Sequence, residues 1–554
     1  MASLKNQGPS SGEKARAKHL GVRNRPGTLK IGKAHLPSGA TLRKLKPIAT
    51  LRSLYRMEIR LMSKRFLAAA LLLTVSTLPA FAAKTSLVIG MPIEPPGLDP
   101  TIAAPVAIRE VTWANLYEGL VRIDRSGKVQ PLLAKSWEIS PDGLTYTFRL
   151  QEGVKFHDGS TFDSADVKFA FDRARDPKST NAQKQIFAPI TSIETPDPAT
   201  VVIKLKETSG NFLTYLGWGD AVIVAPETAV GNAANPVGTG PFKFKSWTRG
   251  DRVELVKNPD YWQKDKTKLE TVTFRFISDS QAQVAALRAG DVDAFPNLAA
   301  PELFAEFQKD SRFKAVAGNT EGEIVAGLNS GKKPFDDPRV RRALMHAVDR
   351  KALVEGAYSG FGQPIGSFFS PNNPAFVDMT NVIPYDVEKA KALLKEAGVG
   401  DGLSITIKTP QMAYASRSAE LLSAMFAEAG VELKIIPTEF PAKWIEEVFK
   451  AKDYDVTIVA HAEPLDIEIF ARDSYYFNYK NDKFKALIAD AAKTTDEKAR
   501  YAKYAEAQKI LAEDVPALFL FQLPKLGVWN AKLQGLWENS PIPSNDVTEA
   551  SWTE

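Results

Sequence analysis

The chain has 554 residues, 44% of them hydrophobic and 25% charged, which is enough to bury sizeable cores in two or three globular domains. A formal charge of +6 and a pI near 9.0 suggest an acidic partner, but the charge is segregated along the chain. Residues 1–82 hold 16 of the 71 lysines and arginines against only Glu13 and Glu58, so residues 83–554 carry 55 basic and 63 acidic groups, a net −8, and a nucleic-acid partner loses its main support.

Met1 to Arg56 is basic, rich in Gly, Pro and Ser, and lacks a sustained apolar period, so disorder is expected there. From Met62 the sequence runs MSKRFLAAALLLTVSTLPAFAAK. Lys64 and Arg65 precede an apolar run from Phe66 to Leu78, and Ala80-Phe81-Ala82 offers a small-residue cleavage site. This is the pattern of a secretory signal over residues 62–82, with an apolar run too short to span a bilayer. A buried helix or membrane anchor explains neither the basic flank nor Ala-x-Ala. Cleavage is expected before Ala83. Because an export signal normally begins a chain, residues 1–61 are expected to reflect an upstream start codon assigned in error, with Met57 or Met62 as the true start; a basic nucleic-acid tail is the alternative. Cysteine is absent, which excludes disulfides, thiol chemistry and a lipid-bearing thioether at the cleavage site. The expected location is therefore free in the periplasm.

The exported chain opens with a strand at Leu87-Val88-Ile89 and enters the proline-rich loop MPIEPPGLDP. A helix is expected around Ile108 to Tyr117. Pro141-Asp142-Gly143 marks a turn before an alternating strand, Thr145 to Leu150, and a helix from Asp163 to Ala174 has Asp163 or Ser164 as its cap. His157-Asp158-Gly159 reads as a polar turn at a strand end rather than a reactive centre. Gly238-Thr239-Gly240-Pro241 lacks the Lys-Ser/Thr of a phosphate loop and reads as a turn between strands. Asp336 or Asp337 caps a core helix with Pro338 in its first turn and an apolar stripe of Val340, Leu344, Ala347 and Val348.

Leu403 to Asp466 reads as strand, helix, strand, helix, strand. LSITIK alternates, a helix follows from Ala413 to Ala429, VELKII is the second strand, Pro441 to Lys450 a short helix, and YDVTIV the third strand. Short links between alternating elements require a parallel sheet, because parallel strands need crossover connections. Ligands in such sheets bind beyond the carboxyl ends of the strands, here at Thr409-Pro410-Gln411, Thr438-Glu439-Phe440 and Ala460 to Pro464. None of the three is a catalytic set, so this is a binding crevice. The last helix is Asp496 to Glu513, and the acidic, aromatic-poor tail after Pro541 is expected on the surface.

Several long segments, in order, resemble the family 5 extracellular solute-binding proteins of ABC importers, of the dipeptide, oligopeptide, nickel and opine type. They are EPPGLDP, YEGLVRID, LAKSWEISPDGLTYTFRL, GVKFHDGSTFDSADVKFAFDR, VGTGPFKFKSWTRGDRVELVKNPDYW, ALRAGDVDAF, PFDDPRVRRALMHAVDRKALV and DVEKAKALLKEAG, and the likeness runs over residues 83–554. The resemblance implies an α/β, two-lobed periplasmic-binding-protein fold (type II, large cluster C-like), with a cleft between lobes and a hinge crossed twice. The crossings are placed near Glu321 to Lys332 and Leu520 to Val528. One lobe would hold residues 83–320 plus 526–554, including a smaller subdomain at about 114–240, and the other residues 321–525. The implied partners are a small-molecule or peptide ligand and an ABC permease with its ATPase in the inner membrane. A monomer is expected, with no cofactor.

In peptide-binding members of this family an aspartate in the loop after the strand matching Tyr454 to Val459 pairs with the peptide's α-amino group. Here that loop reads AHAEPLDIEIFARD, with Pro464 near the expected acid, so Glu463 or Asp466 would meet an ammonium and a plain dipeptide ligand is in doubt. By the same resemblance His461 occupies a tryptophan-like position, where it either stacks on ligand or is structural, and Trp444 matches another ligand-side tryptophan. Glu94 lies in the loop expected to line the other wall. Trp218, between Gly217 and Gly219, either faces a cavity or is a core residue. Arg472 and Tyr475-Tyr476 either receive a carboxylate and an apolar portion or lie on the surface. The candidate contacts favour an amine-bearing solute such as a peptide, an amino-acid conjugate or an opine. The three histidines of the exported chain, His157, His346 and His461, are far apart in sequence, which disfavours a metal site and weakens a nickel- or haem-capturing alternative. No G-x-S-x-G elbow supports nucleophilic catalysis, so an enzyme is not expected. A periplasmic hydrolase or chaperone on the same fold is the alternative from another class.

Overall fold

The computed structural model describes residues 84–400, 402–462 and 465–553; the expected N-terminal extension, the signal segment with its cleavage site, and Glu463 lie outside them. Elements used below are, in chain order, β1 (Ser86–Met91), α1 (Val106–Thr112), β2 (Ala134–Ile139), β3 (Thr145–Leu150), α2 (Ser164–Arg175), β4 (Ile190–Asp197), β5 (Thr200–Leu205), α3 (Phe212–Leu216), β6 (Phe242–Thr248), β7 (Arg252–Lys257), β8 (Thr271–Phe276), β9 (Ala294–Phe295), β10 (Phe313–Leu328), α4 (Pro338–His346), β11 (Leu403–Pro410), α5 (Ala413–Glu428), β12 (Val431–Thr438), β13 (Val456–His461), α6 (Asp482–Lys493), α7 (Glu497–Asp514) and β14 (Ala517–Asn530). The fold is α/β and two-lobed, built on one large mixed sheet in the order β12-β11-β13-β10-β14-β9-β1-β8-β7-β6. The parallel unit read from the sequence is there: β11 pairs in parallel with both β12 and β13. A separate antiparallel sheet, β2-β3-β5-β4, carries α2.

Local sequence explains most boundaries. Asp163 caps α2 by accepting from Ala165 N at 2.7 Å, and Asp166 reaches back to Asp163 N at 2.9 Å, a reciprocal box that satisfies two helix-end donors. Asp337 caps α4 ahead of Pro338. Three expectations need correction. The helix expected over 108–117 stops at Thr112, because Asn115 turns its amide to Val111 O and Asn545 O and Ala114 takes a left-handed φ of 62°. Pro441 to Lys450 is one α-helical turn, Ala442–Trp444, followed by a wider π-helical turn, Ile445–Lys450. The tail after Pro541 is buried: Ile542, Val547 and Ala550 are all 0% exposed, Val547 N donates to Asn115 Oδ1, and Arg122 pairs with Asp546 at 2.6 Å.

Three apolar cores organise the molecule. The first gathers β1, the β2–β5 sheet, α2, α3 and the C-terminal tail with Trp529; the second holds Ile324, Leu518, Leu526, Val528, α4 and α5; the third holds Val325, Trp444, Tyr476, α6, α7 and Phe519. β10 and β14 pair antiparallel along nearly their whole length and run through all three. Their register breaks between Asn319 and Glu323, where β10 has extra residues opposite Leu523. On β10 Ile324 and Ala326 enter the second core and Val325 the third; on β14 Leu526 and Val528 enter the second and Trp529 the first. Side chains alternate across a strand, so the first and third cores stand on the same face of these two strands, opposite the second. The broken register lies between them.

Candidate ligand cleft

Glu323 occupies this gap. It is 3% exposed, on the face of the third core, directly opposite His461 of β13 and Gln522 of β14. The Ser370 backbone bonds to its carboxylate, while Oε2 has no hydrogen-bond partner among the described residues. Burial, reinforced by the neighbouring negative charges of Asp466 and Glu321, pushes the Glu323 carboxyl well above the usual carboxylate range. Glu321, two residues earlier and half-buried, is pushed up to about 8 by desolvation. Lys525, 4% exposed, sits between Pro524 and Leu526 and so faces away from the second core. Burial lowers its ammonium to about 8, and Glu110 of α1 is the charge that counters this.

The wall beside Glu323 comes from the end of β13. His461 is 7% exposed, its Nε2 lies 2.7 Å from the Tyr476 hydroxyl, and its ring stacks on Tyr476 and meets Phe368 edge-on. Asp466 begins a 3₁₀ turn, Asp466–Ala471, and is 4% exposed. Arg472 lies over the Tyr475 ring at 5.4 Å.

Elements of the first and third cores also touch. Glu468 accepts from the Tyr215 hydroxyl at 3.0 Å and from the Tyr504 hydroxyl at 3.0 Å, and Asn211 donates to Tyr504 at 2.9 Å. Beside them Gly210 N donates to Ala492 O, Thr208 Oγ1 to Lys493 O, and Lys493 pairs with Glu207 at 2.9 Å. A Cβ on Gly210 would lie 2.2 Å from Thr494 O, so only glycine permits this approach.

The expected contacts divide into two groups. Trp444, His461 and Tyr475 join one aromatic cluster through Tyr476, with Arg472 over Tyr475, while Asp466 stands by Glu323. Trp444 Nε1 donates to Thr457 Oγ1 at 2.9 Å, so its polar edge is committed to the core. Glu94 and Trp218 lie apart from them: Trp218 is 4% exposed in the first core, and Glu94 accepts from Trp247 Nε1 and Gly250 N, fastening its loop to the β6–β7 turn. His157 is held between Gly238 N and Gly240 O and pushed down to about 4 by desolvation, a neutral structural ring. Glu321, Glu323, Glu110 and Lys525 were missed by the sequence reading; the available signal was a charge inside an apolar strand, as in EIVAGL and LFLFQLPKLGVW. Among the described residues no group of three or more His, Asp and Glu is placed to hold a metal ion, and no helix is long and apolar enough to cross a membrane. An open depression lined by Arg122, Arg125, Lys266 and Glu549 has its cations paired to Asp546 and Glu549.

The model of the bacterial extracellular solute-binding proteins, family 5 Middle, matches residues 128–466. The glutathione-binding protein GsiB of Salmonella typhimurium is 31% identical over 84% of this chain and 94% of its own length. Among solved structures, the ABC transporter-associated periplasmic binding protein DppA from Helicobacter pylori, in complex with peptide STSA, superposes with a TM-score of 0.76 at 27% identity, covering 85% of this chain and 99% of that one. The PBP AgaA from A. tumefaciens R10, in complex with agropinic acid, gives a TM-score of 0.75 at 28% identity with the same coverage. The family match over more than half of the chain and these likenesses place the chain in the family 5 bacterial extracellular solute-binding proteins.

Proposed function

We propose that this protein is the periplasmic receptor of an ABC importer, taking up a small amine-bearing solute by lobe closure and handing it unchanged to a membrane permease driven by its ATPase. The reading is supported by the relatives named for glutathione, a peptide and agropinic acid. The observation that carries the ligand class is the buried Glu323 carboxyl at the broken register of β10 and β14, whose Oε2 has no hydrogen-bond partner among the described residues. A carboxyl out of water is held toward its protonated form, and an ammonium on the ligand would stabilise the ionised form instead. Asp466, His461, Arg472 and Tyr475, with Glu463, form the proposed ligand wall, whereas Glu94, Trp218 and Trp444 support its frame. The division into residues 83–320 plus 526–554 and 321–525 is kept as a proposal: the first and third cores each fall within one part, whereas the second joins Val284 to Phe307, Leu526 and Val528 with residues of 321–525. Ligand contacts from both lobes would favour the closed form over the open one.

Mass spectrometry of solutes that co-purify with the exported protein tests this reading. An unmodified amine-bearing solute is expected, and adding it back should raise the melting temperature without turnover. Conversion of a peptide or ester would favour a hydrolase instead. Asp466→Asn and Glu463→Gln should each weaken binding; unchanged affinity in both would remove this loop from the site.

A further inference from the structure

The segment Glu207 to Tyr215 meets Glu468, the end of α6 and α7 through bonds that involve no cargo. Gly210 N donates to Ala492 O at 2.9 Å and Thr208 Oγ1 to Lys493 O at 2.8 Å. Ala492 and Lys493 end α6, and the last carbonyls of a helix find no donor within it. Farther along, Asn211 donates to the Tyr504 hydroxyl at 2.9 Å and the Tyr215 hydroxyl to Glu468 at 3.0 Å. Asn211, Tyr215 and Tyr504 are all buried, so water competes little for these two bonds while the surfaces are in contact. Each surface is also fixed from behind. Tyr146 of β3 donates to Ser209 O at 3.3 Å and meets Phe212 edge-on at 4.9 Å. Arg500 of α7 donates to Thr494 O and Thr495 O, and Lys503 to Thr494 Oγ1. Matching surfaces that are already ordered lose little freedom on meeting. Leu465, three residues before Glu468, packs on both the first and third cores and extends the contact.

We propose that this contact is a latch: with no cargo bound it holds a share of the molecules closed, and it thereby raises the affinity of every cargo by one common factor. This rests on the reading of the protein as a two-lobed receptor, whose proposed division puts Glu207 to Tyr215 in one lobe and Glu468 to Tyr504 in the other. Bonds made only in the closed form shift the equilibrium toward it whether or not cargo is present. A cargo that binds the closed form is weakened by whatever fraction of the protein is open, so the latch acts on all cargoes alike. Glu468 and Asp466 share one 3₁₀ turn, yet Glu468 is taken by Tyr215 and Tyr504, so the latch uses no group of the proposed ligand wall.

Small-angle scattering of the ligand-free full chain reads the latch with no cargo present. Tyr215→Phe combined with Asn211→Ala removes the two buried bonds, and this double variant should have a larger radius of gyration than wild type. Calorimetric titration with glutathione and a panel of free di- and tripeptides should then show every binder weakened by one factor, roughly tenfold. A ligand-free profile identical to wild type would overturn the latch. So would factors that differ from peptide to peptide, which would make these residues ligand contacts, or a lowered urea midpoint with affinities unchanged, which would make them structural. Gly210→Ala blocks the same approach by placing a methyl against Thr494 O; it should give the same extended ligand-free profile and decides the matter if the double variant does not fold. If no panel member binds the wild type, the amine-bearing small-solute reading fails, while the ligand-free profiles still decide the latch.

Discussion

Two carboxylates in the gap between the first and third cores meet opposite fates. Glu468 is half-buried and pushed up by desolvation, but two tyrosine hydroxyls, from α3 and α7, donate to it and Asn211 completes the network. Glu323, which is buried, has one oxygen without a partner and carboxylates for charged neighbours. A carboxylate with its donors in place ties elements of the first and third cores together, and one left short of them is where the proposed function puts the ligand's cation. Glu118 in the first core belongs with Glu468: Thr239, Tyr261 and Trp262 all donate to it.

The comparison breaks most visibly at closure. Gly210→Ala would drive a methyl into Thr494 O, an approach that the proposed closure would make and opening would relieve. The closed form should lose about 1–3 kcal/mol, or five- to 150-fold in ligand affinity, with little change in the ligand-free melting temperature. An unaltered affinity would mean that this contact is not part of closure. Glu468→Gln should cost roughly 1–2 kcal/mol, because an amide accepts from the tyrosines more weakly and brings two donors of its own, whereas Glu323→Gln should leave the ligand-free protein as stable as wild type or more so. Urea denaturation of both variants checks the contrast, and equal destabilisation would erase it.

pH sharpens the same difference. Glu321, raised in the folded state from an ordinary 4.5 to about 8, and Glu323, also raised well above that ordinary value, favour folding fully below pH 4.5. That contribution is lost as pH rises from about 4.5 toward 8 and beyond. Lys525, lowered from 10.5 to about 8, acts the other way: its contribution is present above pH 10.5 and lost as pH falls through about 8. The ligand-free protein should therefore melt a few degrees lower at pH 8 than at pH 6, and a Glu321→Gln/Glu323→Gln double variant should show a smaller drop. A parallel drop in both proteins would assign the effect elsewhere. The smallest effect is expected at the exposed Lys204–Glu194 pair, where Glu194→Gln should leave the urea midpoint indistinguishable from wild type.

What the sequence revealed follows from the range of the forces involved. The unit from Leu403 to His461 was legible because β-branched alternation, a glycine at the helix end and short links are local properties. The caps at Asp163 and Asp337 were legible for the same reason. The tail after Pro541 was misread because its burial depends on Asn115 and Arg122, more than 400 positions away. Trp444 and Trp218 were recognised as large aromatic groups, yet where their edges point depends on Thr457 and on the first core. Glu323 and Lys525 were not legible because they sit within strands whose neighbours are apolar, where the surrounding sequence reads as core.

The most direct test is small-angle scattering of the full chain with and without a peptide that raises its melting temperature: wild type should become more compact as the peptide saturates it, Gly210→Ala should stay extended at the same concentration, and the peptide should be recovered chemically intact. An identical scattering profile with and without saturating peptide, or recovery of a converted product, would contradict the proposed function.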